Sequence, residues 1–298
     1  MKDLISVEPG PLNDLITFNW HVIDICQLKC PYCCSVDFNK NTWEESKVEE
    51  LVLKRLSTLK KPFQVDLTGG EPTLHPKLVY ILTELEKNPY CEIIDLHTNF
   101  KKKNDFYIEL DKIGFSKVNL VISYHSHAFK PNEFVSKIID LSEKINFLKI
   151  DTNINLTTDK TYWDDLKFVI NLLKETTIKV HINTLNETSS FTPIYDNEFE
   201  IFFKDELKNV FTNKFNHIYS DGTNEFLDEQ TIRINNISYK GMNCSQKHFR
   251  IYLKGEIINS CTRKQYSKMS LGDIGGNIIC PLERCDTAFK YHYKKEKL

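Results

Sequence analysis

Short apolar runs alternate with longer amphipathic segments from Leu15 to about Asn186, and this alternation limits the possible folds more than any other feature. The apolar runs predict six strands, at Leu15–Ile25, Gln64–Thr68, Glu92–Thr98, Lys117–Tyr124, Phe147–Thr157 and Ile178–Thr184. The segments between them predict five helices, near Trp43–Leu59, Pro76–Lys87, Asp105–Ile113, Asn132–Ile145 and Tyr162–Leu173. Such an alternation predicts a parallel sheet with right-handed crossovers. It fits a doubly wound sheet and a partial barrel equally well.

A compact group of cysteines follows the first predicted strand. Cys26, Cys30 and Cys33 are separated by three and then two residues, and Cys34 comes next. Neighbouring cysteines on a tight loop rarely reach disulfide geometry. Zinc sites usually take further ligands from a second pair elsewhere in the chain. A cubic iron–sulfur cluster ordinarily takes four thiolates, so three would leave one iron open to a substrate or cofactor.

The cysteine spacing, with Tyr32 directly before the third cysteine, resembles the signature of the radical S-adenosylmethionine (SAM) superfamily. The second predicted strand runs into Gly69-Gly70-Glu71-Pro72, which matches the family's GGEP motif, whose backbone contacts the methionine amino group of SAM. The resemblance implies that Cys26, Cys30 and Cys33 hold a 4Fe-4S cluster whose fourth iron chelates SAM. The reduced cluster would cleave SAM, and the resulting 5′-deoxyadenosyl radical would abstract a substrate hydrogen.

The resemblance also implies the architecture, because radical SAM cores are partial (β/α)6 TIM-like barrels. We therefore expect an α/β fold with such a barrel at residues 1–190 and a bridging segment at 191–240. A small α+β extension is expected at 241–298. In barrel folds the chemistry lies at the carboxyl ends of the strands, where the cysteine loop falls.

Polar residues at the strand ends complete the expected site. Paired glycines let the backbone approach a ligand closely, and the Glu71 carboxylate can accept a hydrogen bond from an ammonium group. His125 is a candidate acid–base group on the substrate side, although a histidine that caps a strand is more often structural. The resemblance implies that the cofactor-binding residues are Tyr32, Gly69, Gly70, Glu71, Thr98, Asn99, Ser123 and Asn153.

Phe100 departs from the family pattern, which commonly has Thr-Asn-Gly where this chain has Thr98-Asn99-Phe100. A left-handed backbone is costly for phenylalanine. We therefore expect the loop at this position to differ from that of the family.

Four further cysteines, at positions 244, 261, 280 and 285, lie in the C-terminal segment. Phe249–Leu253 and Glu256–Asn259, joined through Gly255, predict a β-hairpin between the first two of them. Four thiolates could hold zinc or an iron–sulfur cluster. The arrangement resembles the Twitch domain, the shorter relative of the SPASM extension, which implies an auxiliary 4Fe-4S cluster on Cys244, Cys261, Cys280 and Cys285. Structural zinc is the alternative.

The leading hypothesis is an oxidoreductase that abstracts hydrogen from a small polar substrate such as a sugar or aminocyclitol, with a flavodoxin or ferredoxin as reductant. The alternative is maturation of a ribosomally made peptide by thioether formation, cross-linking or epimerisation. The short segment before Leu15 favours the small substrate. A non-catalytic iron–sulfur carrier is disfavoured because it would not need Gly69–Glu71.

Composition narrows the function classes. A net charge of −2 with 27% charged residues gives no reason to expect nucleic-acid binding. The sequence has no secretory signal and no apolar run of transmembrane length, so we expect no membrane partner. Without export, nine cysteines are expected to be reduced thiols or metal ligands in the cytoplasm.

Overall fold

The computed structural model describes residues 2–8, 15–33, 47–156, 159–184, 202, 214–228, 232, 235, 237–245, 247–266, 271, 274, 276–281 and 295–297. Within these ranges, no helix is both long enough and apolar enough to cross a lipid bilayer.

The predicted alternation of strands and helices is confirmed. The strands are β2 (Ile16–Ile23), β3 (Phe63–Gly69), β4 (Cys91–Thr98), β5 (Val118–Tyr124), β6 (Lys149–Leu156) and β7 (Lys179–Thr184). The helices are α1 (Val48–Ser57), α2 (Leu78–Lys87), α3 (Asn104–Asp111), α4 (Pro131–Ser142) and α5 (Trp163–Lys174). The apolar runs form strands and the amphipathic segments form helices, and each buries its apolar side chains against the other.

Strands β2 to β7 are parallel and neighbour one another in the order of the chain. A doubly wound sheet reverses its strand order, so that alternative is wrong for this chain. With crossovers of one hand and no reversal, the helices cover a single face of the sheet. A partial barrel has this strand order, and closure into such a barrel remains a prediction.

The two faces of the large sheet differ sharply in polarity. On the helix side, Phe18, Val65 and Leu96 are fully buried in one hydrophobic core with residues of the helices. Register places polar residues side by side on the opposite face: Asn19 pairs with Asp66, Asp66 with Asp95, Asp95 with Asn119, and Ser123 with Asn153. The large sheet therefore has an apolar outer face and a polar inner face.

The predicted C-terminal hairpin is confirmed, and it extends the large sheet. Strands β11 (His248–Ile251) and β12 (Ile257–Asn259) are antiparallel, and Gly255 between them has a φ of 78°. β11 pairs in parallel with β2, while β13 (Gln265–Tyr266) pairs with β12. The Arg55 guanidinium of α1 donates to the Gly255 carbonyl over 3.0 Å, which fastens the hairpin to the helix layer.

A second, antiparallel sheet combines distant parts of the chain. Its strands are β1 (Leu4–Val7), β8 (Lys214–Tyr219), β9 (Asn224–Asp228), β10 (Asn243–Cys244), β14 (Ile278–Ile279) and β15 (Lys295–Glu296). Their order is β14-β10-β15-β1-β8-β9. The N-terminal strand thus lies between strands from the segments predicted as bridge and extension. The domain boundaries near residues 190 and 240 remain a prediction.

Phe100 corrects one expectation. Its φ is 60°, so it adopts the left-handed conformation that we expected it to avoid. The side chain is fully buried, with its ring centroid 5.3 Å from that of Tyr107 and 6.1 Å from that of Phe134. A left-handed residue costs about 1–2 kcal/mol, whereas burying a phenyl ring gains about 1.5–3 kcal/mol and each aromatic pair adds about 0.5–1.5 kcal/mol. Packing outweighs the local strain.

Substitutions at Phe100 test this balance. Phe100→Ala should lower the free energy of unfolding by about 3–5 kcal/mol, because it leaves a cavity. Phe100→Gly should be milder than Phe100→Ala by about 0.5–1 kcal/mol, because glycine tolerates positive φ. Urea denaturation measures both. Phe134, which is buried within α4, is the matched control: there glycine should be worse than alanine by about 1 kcal/mol. If glycine were worse than alanine at position 100 as well as at position 134, the left-handed conformation of residue 100 would be contradicted.

Candidate active site

The predicted cysteine ligands lie on the loop that leaves the carboxyl end of β2. Cys26, Cys30 and Cys33 are all partly exposed, so a bound group could reach their sulfur atoms. The Cys33 amide donates to the Cys30 carbonyl over 3.1 Å, closing a turn between these two cysteines. The Leu28 amide lies 3.4 Å from the Cys26 sulfur and supports it from within the loop.

The electrostatics of the loop test whether it suits a metal group. Burial raises the pKa of Cys26, and burial together with Cys33 and Cys26 raises the pKa of Cys30 to about 12. The thiols of Cys26 and Cys30 therefore remain protonated unless positive charge is brought among them. Coordination to a metal supplies that charge and deprotonates a thiol outright. The donor set fits a thiolate-bound metal group.

Tyr32 ties the cysteine loop to the end of β5. Its hydroxyl lies 2.9 Å from Nδ1 of His125 and 3.4 Å from Nδ1 of His127, and its ring stacks on that of His125. Burial lowers the pKa of His125 to about 4, so at neutral pH the imidazole is neutral and can accept a hydrogen bond from Tyr32. His125 also lies 3.6 Å from the Cys30 sulfur. Its contacts are those of a residue that positions the loop.

Gly69 and Gly70 allow two backbone segments to cross closely. The Gly70 amide donates to the Ile23 carbonyl over 2.6 Å, and the Glu71 amide donates to that of Ile25 over 2.8 Å. A Cβ on Gly69 would lie 2.2 Å from the Ile23 oxygen, and one on Gly70 would lie 2.4 Å from the Ile25 oxygen. Any side chain here would displace the segment that leads to the first cysteine of the loop. The glycines thus fix the cysteine loop against the end of β3.

Glu71 is a buried carboxylate with saturated oxygen atoms. Its side chain accepts four hydrogen bonds, from the amide and hydroxyl of Thr73, the hydroxyl of Thr98 and the amide of Asn99. The residue is 1% exposed, and its burial raises the pKa of the carboxyl while these donors act to lower it. Because protein donors already engage both oxygens, Glu71 contributes to the site by positioning its neighbours and its own backbone.

Thr98 and Asn99 connect Glu71 to the cysteines. The Thr98 hydroxyl lies 2.8 Å from a Glu71 oxygen and 3.1 Å from the hydroxyl of Tyr107. The Asn99 side chain lies 3.5 Å from the Cys26 sulfur through Nδ2, and its Oδ1 accepts from Gln27 over 3.2 Å. The ends of β2, β3 and β4 therefore form one hydrogen-bonded unit.

Ser123 and Asn153 lie on the same inner face, paired across β5 and β6. Asn153 in turn pairs with His181 of β7, whose Nε2 lies 3.7 Å from an Asp151 oxygen. These groups follow the same carboxyl edge away from the cysteine loop. The structure thus places the predicted residues of β2 to β6 towards the carboxyl edge of the large sheet.

Sequence reasoning missed the polar residues inside the strands. Gln64 donates to Asp66 over 2.8 Å and to Asp95 over 2.9 Å, and Asn119 donates to Asp95 over 2.9 Å. Both aspartates are buried, at 3% exposure. The signal is present in the sequence as alternate polar positions within β3 and β4, two segments that were predicted only from their apolar residues.

Three of the four predicted auxiliary cysteines lie in the described part of the chain. Cys244 is in β10, Cys280 directly follows β14, and these strands are antiparallel neighbours. Cys261 follows β12 of the large sheet. All three are buried. Cys285 lies outside the described residues, so the four-cysteine set remains a prediction.

Three curated enzymes illustrate the similarity of the sequence to known proteins. The GTP 3',8-cyclase of Clostridium perfringens strain 13 is 27% identical over 204 residues, covering 62% of this chain and 61% of the relative. That of Pasteurella multocida is 24% identical over 180 residues, covering 56% and 52%. The 7-carboxy-7-deazaguanine synthase of Haemophilus influenzae is 34% identical over 70 residues, covering 24% and 31%. The chain therefore matches about half to three fifths of the length of these cyclases. No protein-family profile matches it.

Solved structures share the fold over most of the chain. Streptococcus suis SuiB bound to the precursor peptide SuiA aligns with a TM-score of 0.57 at 14% identity, covering 85% of this chain and 62% of SuiB. The structure of anSMEcpe with bound AdoMet and a Cp18Cys peptide aligns with a TM-score of 0.51 at 16% identity, covering 86% and 76%.

The similarity to the cyclases supports the radical SAM superfamily, the class that the two sequence motifs predicted. The solved structures also support a mixed α/β fold with a parallel sheet. The Twitch-like extension and the type of reaction remain predictions.

Glu71→Gln tests whether the site depends on the buried carboxylate. The amide nitrogen would face a backbone or hydroxyl donor, so a charge-assisted hydrogen bond worth about 1.5–3 kcal/mol would be replaced by two opposed donors. We expect a loss of that size in the free energy of unfolding and weaker SAM binding, measured by denaturation and calorimetry. Glu109, with 69% of its side chain exposed, is the control, and Glu109→Gln should change stability by less than about 0.5 kcal/mol. Equal losses of stability and of SAM affinity in the two variants would refute the positioning role of Glu71.

Proposed function

We propose that this chain is a radical SAM enzyme that cleaves SAM reductively and abstracts hydrogen from a small polar substrate. The supporting observation is the direct connection between the two motifs. Asn99 contacts the Cys26 sulfur through its side chain and Glu71 through its amide. A cluster-binding loop and a cofactor-binding turn must keep a fixed geometry, and this connection provides it.

The proposed cluster ligands are Cys26, Cys30 and Cys33. When bound, a 4Fe-4S cluster with one open iron would supply the electron that cleaves SAM to a 5′-deoxyadenosyl radical. The chain's own residues orient the reactants. The proposed SAM-binding residues are Tyr32, Gly69, Gly70, Glu71, Thr98, Asn99, Ser123 and Asn153. Within this set, Glu71 holds Thr98 and Asn99 in place, and His125 holds Tyr32.

The inner face of the large sheet supports a hydrophilic substrate. Asn19, Asn119 and Asn153 present amide groups there, which can bind hydroxyl or amino groups. The proposed substrate is therefore a sugar, an aminocyclitol or a similar alcohol, and the reaction is a net oxidation. The alternative is maturation of a ribosomally made peptide. It shares the radical chemistry and differs in the substrate, which would be a peptide.

An acidic electron carrier such as a flavodoxin or ferredoxin is the proposed reductant. Three consecutive lysines, Lys101–Lys103, follow Phe100 next to the candidate site. Positive charge at this position would attract an acidic partner and raise its rate of association. The proposed auxiliary site, on Cys244, Cys261, Cys280 and Cys285, would hold a second 4Fe-4S cluster and accept an electron from the product radical.

Replacing Cys26, Cys30 and Cys33 together by alanine separates the two proposed clusters. The anaerobically reconstituted wild type should hold about eight irons per chain, and the triple variant about four. The variant should form no 5′-deoxyadenosine from SAM, because it lacks the cluster that delivers the electron. Iron analysis and chromatography of the SAM products provide the measurements. The control Cys91→Ala should retain both values, since Cys91 is buried in the core. A wild type with one zinc and a single cluster would contradict the auxiliary assignment.

Cys285→Ala tests the role of the auxiliary site. Four thiolates would occupy every iron of a cubic cluster, so the cluster could accept an electron but could not chelate substrate. The variant should still cleave SAM to 5′-deoxyadenosine, whereas formation of oxidised product should fall steeply. Parallel measurement of the two products over a panel of sugars and aminocyclitols checks this. Full product formation would exclude an obligatory electron-transfer role, and loss of soluble protein would favour a structural one.

A further inference from the structure

Two carboxylates and an imidazole meet on the inner face of the large sheet. Asp66 of β3 and Asp95 of β4 are register neighbours, and His97 lies two residues beyond Asp95 on the same face. One ligand atom from each of the three lies within 4.8 Å of the other two. Among the residues that the structure describes, this is the one group of three histidine, cysteine or acidic side chains with such spacing.

The surroundings of the two aspartates are those of supported metal ligands. Each is 3% exposed, and a buried carboxylate is costly unless it is hydrogen-bonded and its charge is balanced. The Gln64 amide nitrogen donates to both, and Asn119 donates to Asp95. These neutral amides orient the oxygens without adding positive charge. Metal-binding carboxylates are commonly held by outer hydrogen bonds of this kind.

Thr17 provides a second, independent observation. It pairs with Gln64 across β2 and β3, so it faces the same side of the sheet. Its side chain is fully buried, and its hydroxyl has no hydrogen-bond partner within the described ranges. A buried polar atom of this kind calls for a water molecule or an ion nearby. A hydrated cation at the aspartates would bring such water to this face.

We propose that Asp66, Asp95 and His97 bind a divalent transition-metal cation. Carboxylate and imidazole ligands together suit Mn²⁺, Fe²⁺ and Zn²⁺. Three protein ligands leave coordination positions open towards the polar inner face, as in catalytic rather than closed structural metal sites. The cation would balance the two carboxylates and could bind a water or a substrate oxygen. The site shares no ligand with the cysteine loop, so metal binding here can be tested independently of SAM cleavage.

Manganese binding tests the site directly. The full chain, with its iron–sulfur content reconstituted, is titrated with Mn²⁺, and free Mn²⁺ is followed by electron paramagnetic resonance. Mn²⁺ suits this test because it prefers oxygen ligands to thiolates, so the cysteines of the chain compete little for it. We expect one saturable site per chain. Asp66→Asn and Asp95→Asn should each weaken Mn²⁺ affinity by more than about tenfold. Loss of an outer hydrogen bond alone can weaken metal affinity about tenfold, and loss of a ligand should cost more.

A matched control separates this site from the rest of the polar face. Asp151 of β6 also lies beside a histidine, His181 at 3.7 Å, but within the described ranges it belongs to no such group of three. Asp151→Asn should leave Mn²⁺ affinity unchanged. Nitrogen modulation of the bound Mn²⁺ signal should disappear in His97→Gln, which also gives a result if an aspartate variant fails to fold. Absence of saturable binding by the wild type, or full binding by the Asp66, Asp95 and His97 variants, would overturn the proposal.

Discussion

The rest of the candidate site depends on the hydrogen bonds that the buried Glu71 carboxylate accepts. A carboxylate taken out of water is tolerated only when its oxygens are fully hydrogen-bonded. Four donors meet that condition, two from the end of β4 and the residue after it and two from the turn after β3. The requirement works in both directions. Glu71 needs these donors to remain buried, and the donors take their positions from Glu71. The contact between Asn99 and Cys26 then extends this order to the cysteine loop.

The sequence predicts the large sheet well because one physical cause produces most of its pattern. Burial of apolar residues between strands and helices leaves a clear alternation, and the predicted limits of β2 to β7 agree with the structure to within a few residues. The small sheet could not be predicted in the same way. Three of its strands, β10, β14 and β15, have only two residues each, and β1 pairs with β15 from a distant part of the chain. Pairing at such a distance leaves no local signal.

The site shows a similar division between local and tertiary causes. The cysteine loop and Glu71 could be predicted because their motifs resemble those of a known family. The paired glycines of the second motif also suit the close backbone crossing that the structure shows. The sequence mispredicts Phe100 because local strain is visible in it, whereas packing against Tyr107 and Phe134 is not. The polar network around the two inner-face aspartates is missed for a related reason. Polar residues that alternate with apolar ones inside a strand acquire meaning only when neighbouring strands bring them together.

The interior position of β1 in the small sheet has a consequence for how the chain assembles during synthesis. Leu4–Val7 is made before the other strands, yet its two neighbours come from residues 214–219 and 295–296. The large sheet from β2 to β7 is built from sequential neighbours and can form while translation continues. The first strand can pair with β8 once residue 219 has been made, but it gains its second neighbour only after residues 295 and 296. Closing so long a loop costs entropy before the contact gives any gain. A chain that stops short of those residues would leave one edge of β1 unpaired, and an unpaired strand edge invites association with other chains.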